Sequence, residues 1–534
     1  MSVRWQSLIV GLACALAGCG GDGSQMRFVE NSTLAKPVHR KARVVVTKQL
    51  EEHFGTPLNS VAWLKLPVKY GRAEGKVTAI EDQTVTVELN AESADLTGFD
   101  AADFAGTELL LTSGANQGKT VTLVTFDGKK KTFEMAASDV VPAVNDQFVA
   151  GGNVLRHGRK LYARHCQHCH GISGDGDGPT AKYLNPRPRD YRQGKFKFTS
   201  TAGPAGKATR DDLRRIVGQG IPGTYMPAFV PMLKDGEMTA IIEYVRWLAL
   251  RGEVEWQLLG QFKEDYAADR AKKEAKEPVD QAKSAVDQAK LAIKEIDETI
   301  KANTDESKKA ELDGSKKEAK AALAAAEKEL DKAKSQMSAK ETEAEKQLDT
   351  QLKEFEKAGL AELLEEVTGD LADKWNAVEE EGALIIPEMA RVPDSAESRK
   401  NGKELFFGKV ANCVNCHGLA GKGNGAQTEE VGKNLRTGEL YPAPGLYDDW
   451  DQPIKPRDLT RGIYRGGRRP IDLYRRLTQG IKGTPMPGAP KTLKPEQIWD
   501  LVNYVLSIPF DPSTPKAAPA HSVVGQSGEK GHAN

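Results

Sequence analysis

Cysteine is scarce in this chain of 534 residues, with six in all beside nine histidines. A single chance match to a spaced cysteine motif then has odds of roughly one in a thousand, and a second match makes coincidence negligible. Aromatic residues supply only 6% of the chain against 28% charged ones, so part of it is a solvated helical array rather than packed core. An excess of either charge is missing as well. The 75 basic and 75 acidic side chains cancel, and global charge therefore points to neither nucleic acid nor an acidic partner. Beyond the N-terminus no stretch is long and apolar enough to span a bilayer. The length exceeds what one core can bury and implies three or four domains.

The N-terminus accounts for two of the cysteines. Arg4 precedes an apolar run from Leu8 to Ala17, and small residues lead to Cys19. This is the pattern of a signal peptide, too short for a transmembrane helix. Leu16 to Cys19, LAGC, resembles the bacterial lipobox. The resemblance implies cleavage after residue 18, loss of Cys14 with the signal, and acylation of the new N-terminal Cys19. The expected product is exported, on the periplasmic side of a membrane, and anchored by lipid. The glycine-rich CGGDGSQ behind it reads as a tether.

The other four cysteines form two pairs, each followed by histidine: Cys166-Gln-His-Cys169-His170 and Cys413-Val-Asn-Cys416-His417. Two thiols three residues apart on one helical turn can add across the two vinyl groups of a porphyrin, and the next histidine then lies under the iron. A structural zinc site needs four converging ligands, and neither motif has a second cysteine pair nearby. A thioredoxin-like dithiol does not require the trailing histidine. These are two covalent c-type haem sites, with His170 and His417 as proximal ligands. His165 and His168 point off the ligand direction and read as exposed helix.

Methionine supplies the sixth ligands. GQGIPGTYMPAF (218–229) and TQGIKGTPMPGA (478–489) align and place Met226 and Met486 at equivalent positions. Each loop is rich in glycine, and a proline after the methionine fixes the backbone as it passes the porphyrin face. Met232 and Met238 are rivals to Met226, whereas Met486 is the last methionine of the chain.

The two segments form an internal repeat. GRKLYARHCQHCHG matches GKELFFGKVANCVNCHG, PRDYRQGKF matches PRDLTRGIY, and EMTAIIEYVRWLAL matches EQIWDLVNYVLSI. Each unit resembles a class I cytochrome c domain, over residues 153–252 and 396–512. The resemblance implies an N-terminal helix (Gly158/Tyr162, Gly402/Phe406) crossing a C-terminal aromatic helix (Tyr244/Trp247, Trp499/Tyr504). That family often places a proline soon after the haem histidine, whose carbonyl orients the imidazole. Pro179 can serve in the first unit, but the second has Ala426 there. The basic tracts PRPRDYRQGKFKF and PRDLTRGIYRGGRRP contain Arg189 and Arg457, candidates for bonding haem propionates. The remaining arginines are expected to form a positive rim that steers a partner.

Between the repeats, Val279, Val286, Ile293 and Ile300 recur every seven residues, with Ala282, Ala289 and Ile296 at the other seam position. After a break at ANTDES the pattern resumes with Leu323, Leu330, Met337 and Ala344. Two such runs predict an antiparallel coiled-coil hairpin within 255–380, acting either as a docking arm or as a passive spacer. Its excision over 265–360 is expected to leave both haem units folded. Residues 75–150 alternate like strands, with Asp127-Gly128 as a tight turn, and predict a small antiparallel sheet or barrel. Residues 19–74 read as tether and N-terminal segment, of which VVVTKQLEEHFGTP (44–57) is expected to pack on the first haem unit, and residues 513–534 read as a disordered tail.

The expected protein is thus mainly α: two class I cytochrome c domains separated by the hairpin, plus the β domain. Its expected function is to carry single electrons through two His/Met haem c groups. The expected partners are the membrane and redox proteins: a quinol-oxidising complex or dehydrogenase, and a terminal oxidase. No nucleic acid is expected. Two alternatives remain: a dihaem peroxidase, which needs a displaceable iron ligand, and an assembly scaffold built on the coiled coil.

Overall fold

The computed structural model describes residues 26–511 apart from 62, 64, 70–72, 91–103, 105–106, 151–153, 203–206 and 435–436. The signal, Cys19 and the tail from 512 lie outside the described residues. The fold is mainly helical. A short turn α1 (Ser32–Ala35) leads into α2 (Arg40–Phe54). Ala42, Val45, Val46, Leu50 and Phe54 recur at helical spacing, and this face is buried. It packs on the C-terminal helix of the first haem unit, with Phe54 set edge-on to Trp247 at 5.6 Å.

Six strands follow: β1 (Ala73–Glu81), β2 (Thr84–Leu89), β3 (Glu108–Leu111), β4 (Thr120–Asp127), β5 (Thr132–Met135) and β6 (Gln147–Ala150). They close into an antiparallel barrel in the order β1-β2-β5-β4-β3-β6, so no edge is left for pairing with another chain. Phe104, Phe126, Phe133 and Phe148 fill it. The β4–β5 connection is not a two-residue turn at Asp127-Gly128. Asp127 pairs with Thr132 across a four-residue loop, and its carboxylate accepts the Lys129 and Lys130 amides at 3.0 Å. That side-chain capture makes the longer loop the better solution for the backbone.

The first unit contains α3 (Val154–His165), α4 (Gln167–His170), α5 (Arg210–Gln219) and α6 (Asp235–Asp265). Helix α6 runs without a break across residue 252, where the sequence pattern ends the unit. It buries five charged side chains, Glu243, Arg246, Arg251, Glu253 and Glu255. Burial of charge requires partners, and each has one. Glu243 accepts from Arg210, Arg246 donates to Glu379 at 2.6 Å, Glu253 pairs with Lys207, and Arg251 bonds Glu255 at 3.2 Å.

Helices α7 (Arg270–Ala302) and α8 (Glu306–Ala358) fold back on each other through a three-residue turn. The residues at their seam are buried or half-buried, and their other faces are solvated. Near its C-terminus α8 leaves that partnership. Leu348 and Leu352, with Leu360, Leu364 and Leu371 of α9 (Leu360–Ala377), join the core of the first unit. Trp375 of α9 is fully buried there and donates to Glu253 at 2.7 Å. Excision of 265–360 would therefore open that core, contrary to the expectation from periodicity, because heptad spacing does not reveal where a helix changes partners.

The second unit is assembled from α10 (Ala396–Phe407), α11 (Val414–His417), α12 (Pro470–Gln479) and α13 (Pro495–Ser507). Gly158 of α3 lies against the Ala240 carbonyl of α6, and Gly402 of α10 against the Asp500 carbonyl of α13. Only a residue without Cβ allows either crossing. The linker pairs with the first unit before entering the second, Ile385 donating to the Ser200 carbonyl at 2.8 Å. The two units then touch directly. Lys195 bonds Asp449 at 2.9 Å, Arg215 bonds the Gly466 carbonyl at 2.7 Å, and Gln479 bonds the Thr199 carbonyl at 2.6 Å.

Candidate functional site

Each cysteine pair occupies one turn of short helix. Cys166 and Cys169 flank Gln167 and His168 on α4, and Cys413 and Cys416 flank Val414 and Asn415 on α11. All four thiols are free and half-buried. Burial pushes the Cys166 thiol up to about 12 and the Cys413 thiol up to about 11. A dithiol redox pair requires the opposite shift. Zinc is disfavoured as well, because among the described residues no three His, Cys, Asp or Glu side chains come together to hold a metal.

The histidines that follow are held alike. His170 Nδ1 bonds the Arg189 carbonyl at 3.4 Å, and His417 Nδ1 bonds the Arg457 carbonyl at 3.1 Å. With the proton on Nδ1, Nε2 carries the lone pair and is free to ligate a metal. Burial lowers both imidazole pKa values, an effect opposed by the bond to the carbonyl, and so favours the neutral ligand form. This corrects the sequence reading, since neither Pro179 nor Ala426 supplies the acceptor. The signal was present in the PRD tripeptide that recurs after each motif, but nothing local says that its carbonyl turns back to the histidine.

The rest of the cradle is duplicated too. The Gly176 and Gly423 amides donate to the carbonyls of His170 and His417, at 3.0 and 2.8 Å. Both glycines adopt positive φ, +73° and +74°, and a side chain at either would strike the backbone at Pro188 or Pro456. The methionine loops repeat bond for bond. Ile221 N donates to Met226 O at 3.1 Å and Ile481 N to Met486 O at 3.0 Å. Thr224 and Thr484 each donate to the carbonyl three residues back at 2.7 Å. Both methionines are half-buried, and Met226 packs with Cys166 against the first core. Of its rivals, Met232 is 53% exposed and Met238 is 3% exposed within that core. His165 lies against the Phe229 ring and His168 is exposed.

Several arginines of the basic tracts are engaged within the protein. Arg187 pairs with Asp177, Arg192 with Asp190, and Arg469 with Asp472. Arg189 is different. Its Nε, Nη1 and Nη2 are buried without a hydrogen-bond partner among the described residues, as is the neighbouring Trp450 Nε1. The guanidinium stacks on the Trp450 ring at 3.8 Å, and burial pushes it down to about 10. A buried cation with three idle donors is costly unless an anion completes it. Paired thiols, imidazoles with Nε2 free, methionine loops and unpaired donors suited to carboxylates together fit a covalently attached haem.

Comparison with known proteins agrees with this chemistry. Residues 155–249 and 399–509 each match the cytochrome c family model. The chain thus carries two cytochrome c domains, which imply covalently bound haem c and an electron-transfer role. No curated protein matches the chain. Among solved structures, the Kuenenia stuttgartiensis reducing HAO-like protein complex is similar at 19% identity over 66% of this chain and 95% of that one. The TM-score is 0.36, too low for the likeness to define even the fold.

Proposed function

We propose that the protein is an exported, lipid-anchored dihaem cytochrome that passes single electrons between respiratory partners. The observation that carries this reading is the duplicated site: two thiol pairs, two imidazoles bonded alike at Nδ1 and two methionine loops with the same internal bonds. Cys166 and Cys169 hold one haem, and Cys413 and Cys416 the other. His170 and Met226 ligate the first iron, and His417 and Met486 the second. When bound, the haem supplies a reversible one-electron couple whose potential is raised by methionine ligation.

The protein's own residues hold that couple steady. The Arg189 and Arg457 carbonyls orient the proximal imidazoles and raise their basicity. The Thr-braced loops keep each methionine in place, and burial of the site lowers the reorganisation that accompanies a change of charge. Saturated His/Met ligation suits transfer of electrons rather than substrate chemistry. Cys19 carries the lipid and places the haems on the periplasmic side of a membrane, near a quinol-oxidising complex or dehydrogenase and a terminal oxidase. No helix among the described residues is long and apolar enough to cross a membrane. Helices α7 and α8 form an antiparallel coiled coil projecting from the first domain.

Haem content tests the reading. Acid-acetone extraction should release no haem, and the pyridine haemochrome should give two per chain, falling to one when Cys413 and Cys416 are both replaced by serine. Extractable haem, or a count other than two, would sink it.

A further inference from the structure

Arg189 and Arg457 each do two things in two different domains. The carbonyl of each bonds the histidine of its own domain. The guanidinium of each lies on the methionine loop of the other. A Cβ added at Gly483, three residues before Met486, would stand 2.9 Å from Arg189 Nη1, and one added at Gly223, three before Met226, would stand 2.5 Å from Arg457 Nη2. The exchange is reciprocal, with the two arginines at equivalent positions of the repeat. Around it the contacts are also mutual: Arg465 reaches the Gly223 carbonyl at 3.5 Å, and Arg215 faces Asp472 at 3.8 Å.

Among the described residues no carboxylate hydrogen-bonds Arg189, although Asp448, Asp449 and Asp190 lie near enough to offset part of its charge. Asp448 Oδ1 accepts the Trp450 and Gln452 amides at 3.0 and 3.1 Å, Asp449 accepts Lys195 at 2.9 Å, and Asp190 accepts Arg192 at 2.8 Å. Three guanidinium nitrogens and the Trp450 indole nitrogen remain, four buried donors on one spot with no acceptor among them. A cluster made only of donors suits an anion, and a planar fork suits a carboxylate. The position beside Gly483 selects which carboxylate. A haem carries two of its own, and the methionine loop there belongs to the second domain.

We infer that the two haem sites are completed in trans: Arg189 of the first domain, with Trp450, binds a carboxylate of the second-domain haem, and Arg457 with Arg465 binds one of the first-domain haem. This rests on the dihaem reading above. The consequence is that neither domain is a finished electron carrier alone. Each haem feels a cation whose backbone positions the other haem's proximal histidine, so the two potentials are coupled through two residues.

Redox titration of the full chain tests the exchange, with each haem assigned by Met226→His or Met486→His. A nearby cation disfavours the more positive ferric state. Arg189→Gln should therefore shift the second-domain haem toward the ferric form by about tenfold, which is about 59 mV for one electron. The first-domain haem should move much less. Arg189→Lys should recover most of the shift, and Arg457→Gln should show the mirror result. A shift confined to the first-domain haem overturns the trans assignment, and no shift in either overturns the arginine contact itself. Should Arg189→Gln lose its near-infrared methionine bands, Trp450→Phe leaves Arg189 in place, keeps a smaller aromatic face under it and removes the N–H donor. That variant must then move the second-domain haem by a smaller amount in the same direction, or the inference fails. Fewer than two covalent haems in the parent chain would instead defeat the dihaem reading.

Discussion

The two cytochrome c domains contain the same site in different surroundings. In the first, the aromatic helix α6 is 31 residues long, and in the second its counterpart α13 has 13. The additional length of α6 is wrapped by α2 and α9, and its buried charges are paired both within the unit, to Arg210 and Lys207, and outside it, to Glu379 and Trp375. Helix α13 instead buries Asn503, which bonds the Arg391 guanidinium and the carbonyls of Val392 and Pro393 in the linker just upstream. Yet the histidine bonds and the methionine loops agree to within a few tenths of an ångström. A haem site of this kind is specified by short-range turns, and its stability by whatever covers the helix behind it.

The largest effect should come from cutting that cover. Deleting 265–360 removes Leu348, Leu352 and Leu360 from the first core, and should abolish the methionine-to-iron band of the first domain while sparing the second. Deleting only 280–332, the solvated length of the hairpin, should leave both bands and both midpoints in a urea titration unchanged. Loss of the first band in the shorter deletion would show that the hairpin tip supports the domain.

A smaller effect is expected at the two helix crossings. Gly158→Ala and Gly402→Ala each force a methyl group into a backbone carbonyl, an overpacking cost of about 1–3 kcal/mol. The second domain, with less outside support, should lose the larger fraction of its stability. This would be read as the greater drop in the urea midpoint of its own near-infrared band. Equal drops would remove the distinction between the domains.

The smallest effect is one of pH and belongs to the cover of the first domain alone. His53 stacks on Trp63 at 4.0 Å, and burial lowers its pKa below the ordinary value. The fold thus favours the neutral ring. That contribution is complete above the unfolded pKa of about 6.5 and is lost as pH falls from there through the lowered folded value. Thermal unfolding of the first domain should therefore soften between pH 7 and 5, and His53→Gln should flatten that dependence. An unaltered slope in the variant would assign the softening to other groups.

Much of the site was legible because its determinants are local. Two cysteines three apart, the histidine that follows and a glycine-rich loop ending in Met-Pro are features of a few consecutive residues, and their duplication made them unmistakable. The barrel was legible from strand alternation and two long helices from heptad spacing, both being periodicities of one element. The acceptor for the proximal imidazole was misplaced at Pro179, because a carbonyl 19 residues from His170 and one 40 residues from His417 become equivalent only after the chain has turned back. The repeat ends at 252, close to the end of the family match at 249, but what the chain does beyond it was not legible, for a related reason. Helix α6 continues, and its charged residues look solvated until Lys207, Trp375 and Glu379 arrive from elsewhere.

By itself, then, the sequence determined that two Cys-x-x-Cys-His motifs and their methionine loops repeat within two cytochrome c domains, and which segments are strand or helix, because spacing along the chain sets bond reach and side-chain direction. Tertiary structure alone decided that the two domains touch, that a guanidinium from each lies on the methionine loop of the other, and that a charged helix is buried. Those outcomes depend on partners from distant parts of the chain, and an arginine in a basic tract has the same local signature whether water, a carboxylate of its own domain or the neighbouring domain finally receives it.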